Sequence, residues 1–304
     1  MRIRAHGRVT FITAALSSAV SVTAYAQAAP GEVSGTAAVT GYTQFNTTLD
    51  SGGRFNWAGG LANATVTRQF TPKLAVGLTT RYEYQSWNFN DPAAFGNVAP
   101  WRNFNAPSLG LDITYAWSSD LFINVVPTVA WTYEAGANTS DALTYGTVVS
   151  MTKAFSPDLI AGLGVSAFRR VDKTQALPFF IVNWKLSDQW RVQNPFQAGP
   201  AGGAGLEFVY APDERWEYAP GLTYRSFRFR LATDNPTPNG IGENSFIPLF
   251  MRVMRKLTKD ARLDFYGAIV SGGKLSVDTA SGGGRYSDNY KIGPALGATL
   301  VVKF

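Results

Sequence analysis

A chain of 304 residues with 16 % charged and 13 % aromatic residues carries too little charge for an ordinary soluble domain, where the share is about 25 %. A mean hydropathy of −0.05, with no long apolar run beyond the N-terminal region, excludes a bundle of spanning helices, each of which needs about 18 apolar residues. The absence of cysteine excludes a disulfide framework and a lipid-attachment cysteine.

At the N-terminus, Arg2, Arg4 and Arg8 form a positive region, Val9 to Thr23 is apolar with Ser and Thr, and Ala24-Tyr25-Ala26 has a small-x-small pattern. This predicts a signal peptide over residues 1–26, export, and a mature chain of residues 27–304. Cleavage removes three arginines and no acid, so the formal charge of +6 falls by three and gives little reason to expect nucleic acid as a partner. It also removes His6, the one histidine. Without imidazole or thiolate, Ser-His-Asp hydrolysis and ordinary zinc or haem sites are excluded. No catalytic residue and no cofactor is expected.

Further along, GTAAVTGYTQF (35–45) reads as a first strand. A turn motif then recurs: FTPK at Phe70, WSSD at Trp117, FSPD at Phe155, LSDQ at Leu186, APDE at Ala211 and LTKD at Leu257. Ser, Thr, Pro and Asp in these combinations make tight turns. Between them lie longer segments rich in Asn, Gly, Asp and Pro, including 88–105, 232–244 and 279–290. Tight turns at one rim and longer loops at the other are the pattern of outer-membrane barrels. The intervening strands alternate strictly. In LAVGLTTRYEY, Leu74, Val76, Leu78, Tyr82 and Tyr84 oppose Gly77, Thr79, Arg81 and Glu83. In LGLDITYAW, Leu109, Leu111, Ile113, Tyr115 and Trp117 oppose Asp112 and Thr114. Such period-two stretches, of about 9 to 11 residues, span a bilayer as tilted strands. Six turns joining two strands each, with a first and a last strand, predict a single closed antiparallel transmembrane β-barrel of about fourteen strands. Twelve is the alternative, because QWRVQNP is short and RWEYAPGLTYRSFRFRL (215–231) is long enough to hold a bulge.

From about residue 177 onward, LPFFIVNWKLSDQWRVQNP, AGPAGGAGLEFVY, YRSFRFRL and NPTPNGIGE resemble an uncharacterised family of bacterial outer-membrane β-barrel proteins, a domain of unknown function. The resemblance implies the fold and an outer-membrane location, and no activity. The last strand, with Leu296, Ala298, Leu300, Val302 and Phe304 on one parity, resembles the C-terminal β-signal. That resemblance implies a partner, the barrel assembly machinery.

If the apolar parity faces lipid, the lumen receives Arg81, Glu83, Lys185, Glu207, Glu217, Arg225, Arg252 and Asp264, with Arg191 beside them. Mixed charge of this kind fits a narrow polar channel for small solutes. It equally fits a structural barrel whose side chains pair and fill the interior. The loop 88–105, with Phe95, Trp101, Arg102 and Phe104, either folds inward as a constriction or caps the rim. Extending the parity of Trp216 and Tyr218 puts Arg228 and Arg230 outside, above the hydrocarbon, where they would meet lipopolysaccharide phosphates; a bulge would turn them into the lumen. Asp234, Asn239, Glu243 and Asn244 offer oxygen ligands, but in no calcium-loop order, so no metal is expected. The leading expectation is a porin-like protein of the bacterial outer membrane. A filled interaction barrel comes second, and a membrane-embedded enzyme acting on lipid comes last.

Overall fold

The computed structural model describes residues 29–196 and 198–304; the expected signal peptide lies outside the described residues. The chain forms β1 (Val33–Thr48), β2 (Arg54–Thr71), β3 (Leu74–Asn90), β4 (Asn103–Ala116), β5 (Leu121–Trp131), β6 (Leu143–Ser156), β7 (Leu159–Arg170) and β8 (Lys173–Lys185). It continues as β9 (Trp190–Gln193), β10 (Gly205–Tyr210), β11 (Trp216–Thr223), β12 (Arg225–Arg230), β13 (Ile241–Lys256), β14 (Ala261–Asp278), β15 (Gly284–Tyr290) and β16 (Gly293–Lys303).

Fourteen of these close a ring by antiparallel pairing: β1 through β11 in chain order, then β13, β14 and β16, which returns to β1. The other two lie outside that ring of pairings. β12 pairs with Ile241–Phe246 of β13, and β15 with Gly273–Asp278 of β14. All six turn motifs join neighbouring strands at one rim. The opposite rim carries the longer connections, with two exceptions: β1 and β2 are joined by only five residues, 49–53, and β7 and β8 only by Val171 and Asp172, Val171 taking a positive φ of 50°.

The alternation read from sequence becomes the two faces of the wall. Leu78, Tyr82, Leu111, Met151, Leu163, Phe265 and Leu296 are 43–71 % exposed on the outside, where hydrocarbon would cover them. A closed antiparallel wall satisfies its backbone without help from solvent, as a bilayer demands. Closure rests on β16, which pairs from Thr36↔Lys303 to Gln44↔Ala295 on one edge and from Ala261↔Val302 to Val270↔Gly293 on the other. At the seam, Phe304 N–H donates to the Gly35 carbonyl at 3.0 Å and Gly35 N–H donates back at 2.6 Å. The Phe304 ring lies over Gly35, where any side chain would run into it.

One sector of the wall is short. β9 has four residues and β10 six, so β9 rises about 13 Å where the apolar band of such barrels is about 25 Å tall. β8, at thirteen residues, therefore finds strand partners on that side only for Asn183, Trp184 and Lys185. Asn194 takes over next: its side chain accepts from Val182 N–H at 2.8 Å and donates to the carbonyls of Phe180 at 3.3 Å and Gly205 at 3.0 Å. Two residues beyond Phe180, on the same edge, stands Pro178, which has no N–H to leave unpaired. The result is a notch between β8 and the β11–β12 region, in the half of the wall towards the longer loops.

The seam gives a direct test. Gly35→Val should lower the yield of folded barrel on refolding, read as the heat-modifiable band on electrophoresis. Adding Phe304→Ala to that variant should restore part of the yield, because the ring that clashes is gone.

Candidate functional site

The interior is divided lengthwise. Along β10, β11, β13 and β14 it is filled. Glu207, Val209, Ala219, Thr223, Arg252, Asp264 and Tyr266 are each 4 % exposed or less. Arg252 stands at the centre, 2.7 Å from Glu207, 3.1 Å from Glu217 and 3.3 Å from Asp264. Arg191 reaches Glu217 at 2.6 Å and Arg262 reaches Asp264 at 3.2 Å. Parity brings these charges inward and strand register brings them level, so each acid here meets an arginine.

Residues 198–204, between β9 and β10, lie inside the barrel against this filled half. Ala198 and Ala201, each 1 % exposed, pack on Phe250 and Tyr266. Thr223 Oγ1 donates to the Gly202 carbonyl at 2.8 Å. Gly199 adopts φ 56° beside the Tyr266 ring, a conformation that suits glycine.

A crossbar ties this side to the far wall. Arg225, 1 % exposed at the break between β11 and β12, sends Nη2 to Glu83 of β3 at 3.2 Å and donates through Nη1 to the Gly199 carbonyl. Glu83 also receives Arg81 at 2.5 Å and the Tyr42 hydroxyl of β1. The guanidinium stacks on Phe227, 4.8 Å from its centroid. Four separate stretches of chain thus meet at one ion pair.

Towards the loops the barrel is packed with rings. Phe55, Trp57, Trp87, Trp101, Phe104 and Phe229 are all buried in one cluster. Trp87 stacks on Trp57 at 5.5 Å, Trp101 meets Trp87 edge-on at 5.4 Å, and Phe229 meets Trp101 at 5.3 Å. Phe95, Trp101 and Phe104 of the 88–105 stretch all join this cluster, so the loop folds inward. Arg102 does not follow: it stays exposed, its backbone N–H donating to Glu134 and its carbonyl accepting from Trp87 N–H, each at 2.8 Å. The outer end of β12 joins the same region. Arg230 N–H donates to the Thr132 carbonyl at 3.0 Å, and Glu134 N–H to the Arg230 carbonyl at 2.8 Å. β12 therefore bridges from β13 to the extension of β5, inside the mouth.

That placement corrects the expectation for Arg228 and Arg230. They do not face outward to phosphates; they are 3 % and 7 % exposed. Arg228 bonds Asp172, Glu243 and Asp278 at 2.7–2.8 Å. Arg230 donates to the carbonyls of Asp141, Asn239 and Ala280. Beyond the break at Tyr224, β12 keeps the register of β11 on β13, but both of its faces are covered. In the turn after β7, burial works against the Asp172 charge, but the hydrogen bonds and charge of Arg228 prevail and hold the carboxyl below its usual range.

The other half of the interior, along β3 to β7, has small side chains. Gly77, Thr79, Gly110, Thr128, Gly146, Ser150, Gly162 and Ser166 occupy inward positions, and Thr79, Thr128, Gly146 and Gly162 retain partial exposure. A side chain at Gly146 or Gly162 would strike the backbone of the neighbouring strand, so these two also allow tight coiling of the wall. A small apolar patch of Val126, Val148 and Phe168, with Phe179 against it, lies on this side.

Of the expected lumen residues, Arg81, Glu83, Glu207, Glu217, Arg225, Arg252 and Asp264 are brought into the two networks above, with Arg191. Lys185 is corrected: it sits at the tight-turn rim, half exposed, and pairs with Asp188 at 2.7 Å. Its parity points inward, but its height puts it at the end of the strand. Leu296, Leu300, Val302 and Phe304 face outward, 37–67 % exposed. The oxygens once considered for calcium are dispersed, Glu243 to Arg228 and Asn244 to the Tyr290 hydroxyl, and among the described residues no group of three potential ligands gathers. Sequence reasoning did not find the inserted loop 198–204; its run of Ala, Gly and Pro, small enough to lie against a filled wall, was the available signal.

No protein-family model and no curated relative matches the chain. Among solved structures it is similar to an outer membrane channel from Pseudomonas putida F1, at 10 % identity and TM-score 0.48 over 92 % of this chain and 98 % of that one. It is also similar to the P. putida toluene transporter TodX, at 9 % identity and TM-score 0.45 over 92 % of each chain. The KdgM porin follows at 9 % identity and TM-score 0.33, over 86 % of this chain and 97 % of that one. Likeness at this level says nothing about what this chain carries.

The crossbar yields a sharp expectation. Glu83→Gln leaves Arg225 buried without its main counter-charge and should destabilise the refolded barrel by about 3–5 kcal/mol in urea unfolding. Glu83→Gln combined with Arg225→Met should recover a substantial part of that loss, because no buried charge is then left alone at the contact.

Proposed function

We propose that this protein is an outer-membrane barrel through which small solutes pass passively, along the half of the lumen lined by β3 to β7. The observation that carries this reading is the lengthwise division of the interior. Arg252 and the acids around it are gathered and neutralised on one side, together with the inserted loop. The facing side keeps glycine, serine and threonine at inward positions. A structure meant only to be filled has no need for such a difference between its two sides.

The aromatic cluster blocks the straight path towards the longer loops, which in such barrels face the outside of the cell. The notch beside β8 offers the route that avoids it, through the wall rather than past the rings. The small apolar patch that includes Phe168 and Phe179 lies on that same side. Passage needs no chemistry, only a path whose polar walls are already satisfied.

The aromatic cluster also favours a second reading, a structural or interaction barrel with a sealed interior. Recording from the refolded protein in planar bilayers separates the two. Stepwise conductance supports passage. A correctly folded barrel that stays silent, and that admits no small sugar in a liposome-swelling assay, refutes it.

A further inference from the structure

The acids of the filled half and of the crossbar all have arginine partners: Glu83, Glu207, Glu217 and Asp264. An inward-facing acid of β4, in the thin-sided half, does not. Asp112 of β4 is 7 % exposed, and among the described residues it pairs with no cation. Asn124 Nδ2 donates to its Oδ1 at 2.5 Å, and Thr114 Oγ1 is 3.4 Å from the same oxygen. The other oxygen, Oδ2, receives no hydrogen bond from the described residues, yet it is not among the buried side-chain atoms left without a partner. It therefore keeps some access to the lumen.

The cross-strand and same-strand neighbours of Asp112 are neutral. The register partner of Asp112 on β3 is Gly77. A Cβ at that position would come within 3.5 Å of Asp112 Cβ and 2.7 Å of Thr67 Oγ1. Glycine thus makes room there for the Thr67 hydroxyl, which lies beside the Asp112 side chain and which a larger residue at 77 would displace. On the β5 side, Pro127 stands where the pairing with β4 lapses between Gly110↔Thr128 and Ile113↔Val125, the register itself being unchanged. A carboxylate so enclosed has lost much of its hydration, and neutral donors offset only part of that loss. A passing cation would supply the rest.

We propose that Asp112 sets the charge preference of the passage, drawing small monovalent cations and cationic solutes over anions. The proposal rests on the passage reading. It also moves selectivity away from the ion-paired residues, whose charges are spent on one another. One carboxylate flanked by hydroxyls and an amide is too weak a ligand set to trap a divalent ion, which takes several carboxylates, so the cation is attracted and released.

The test is the reversal potential of the refolded barrel in a planar bilayer across a KCl gradient. The wild-type protein should prefer K⁺. Asp112→Asn, which keeps the shape and both hydrogen-bonding neighbours, should lower the K⁺/Cl⁻ permeability ratio several-fold. Asp112→Glu, which keeps the charge, should keep the K⁺ preference, so the proposal does not depend on a single variant folding. A conducting barrel with the same reversal potential in all three proteins overturns the assignment of Asp112 and leaves passage intact. A folded wild-type barrel without conductance overturns passage and, with it, this inference.

Discussion

In hydrocarbon, each backbone N–H and C=O has to find a partner within the protein, and the rest of this structure follows from how that demand is met. Thirteen joints of the ring are ordinary antiparallel neighbours, and the fourteenth, between β16 and β1, closes it. Where the demand is hardest, at the free edge of β8, the chain answers with special residues: a side-chain amide at Asn194 in place of a strand and a proline at Pro178 in place of a donor. An edge handled this way can face an opening. An edge left bare could not.

Inside the wall, the same economy governs charge. A buried arginine or carboxylate is costly alone and tolerable when bonded. Arg252 and Arg225 each gather several oxygens, and through them β9, β11, β13 and β14 in one network, and β1, β3 and the inserted loop in the other, are held in register. The filled half thus acts as a rigid keel. The thin-sided half along β3 to β7 needs no such bracing because it has few buried charges to neutralise.

Much of this was legible in the chain. Period-two alternation in segments such as 74–84 and 109–117 gave the two faces, and the six turn motifs gave the strand count, because both are local properties. Parity also placed Glu83, Glu207, Arg225, Arg252 and Asp264 on the inner side. It failed where its assumption failed. Beyond Tyr224 the strand keeps its register on β13 but is buried on both faces, so parity no longer separates outside from inside there, and Arg228 and Arg230 were assigned to the wrong environment. Lys185 has the inward parity but lies at the strand end, where a long side chain reaches Asp188 at the rim instead. The ion pairs of Glu83, Glu207, Glu217 and Asp264 join residues up to 142 positions apart, and no local pattern reports such contacts. The insertion of residues 198–204 escaped notice because Gly and Ala in a loop look alike whether the loop lies inside or out.

The central claim is that the two halves of the lumen differ in access. The chain has no cysteine, so single cysteines can be introduced without background and probed with a membrane-impermeant maleimide on barrels folded in vesicles. Thr79→Cys and Thr128→Cys, on the small-residue side, should be modified. Ala219→Cys and Thr223→Cys, whose parent residues are 0 % exposed in the filled half, should resist until the barrel is unfolded. Equal labelling of the two pairs in the folded protein, or protection of all four, would contradict the account.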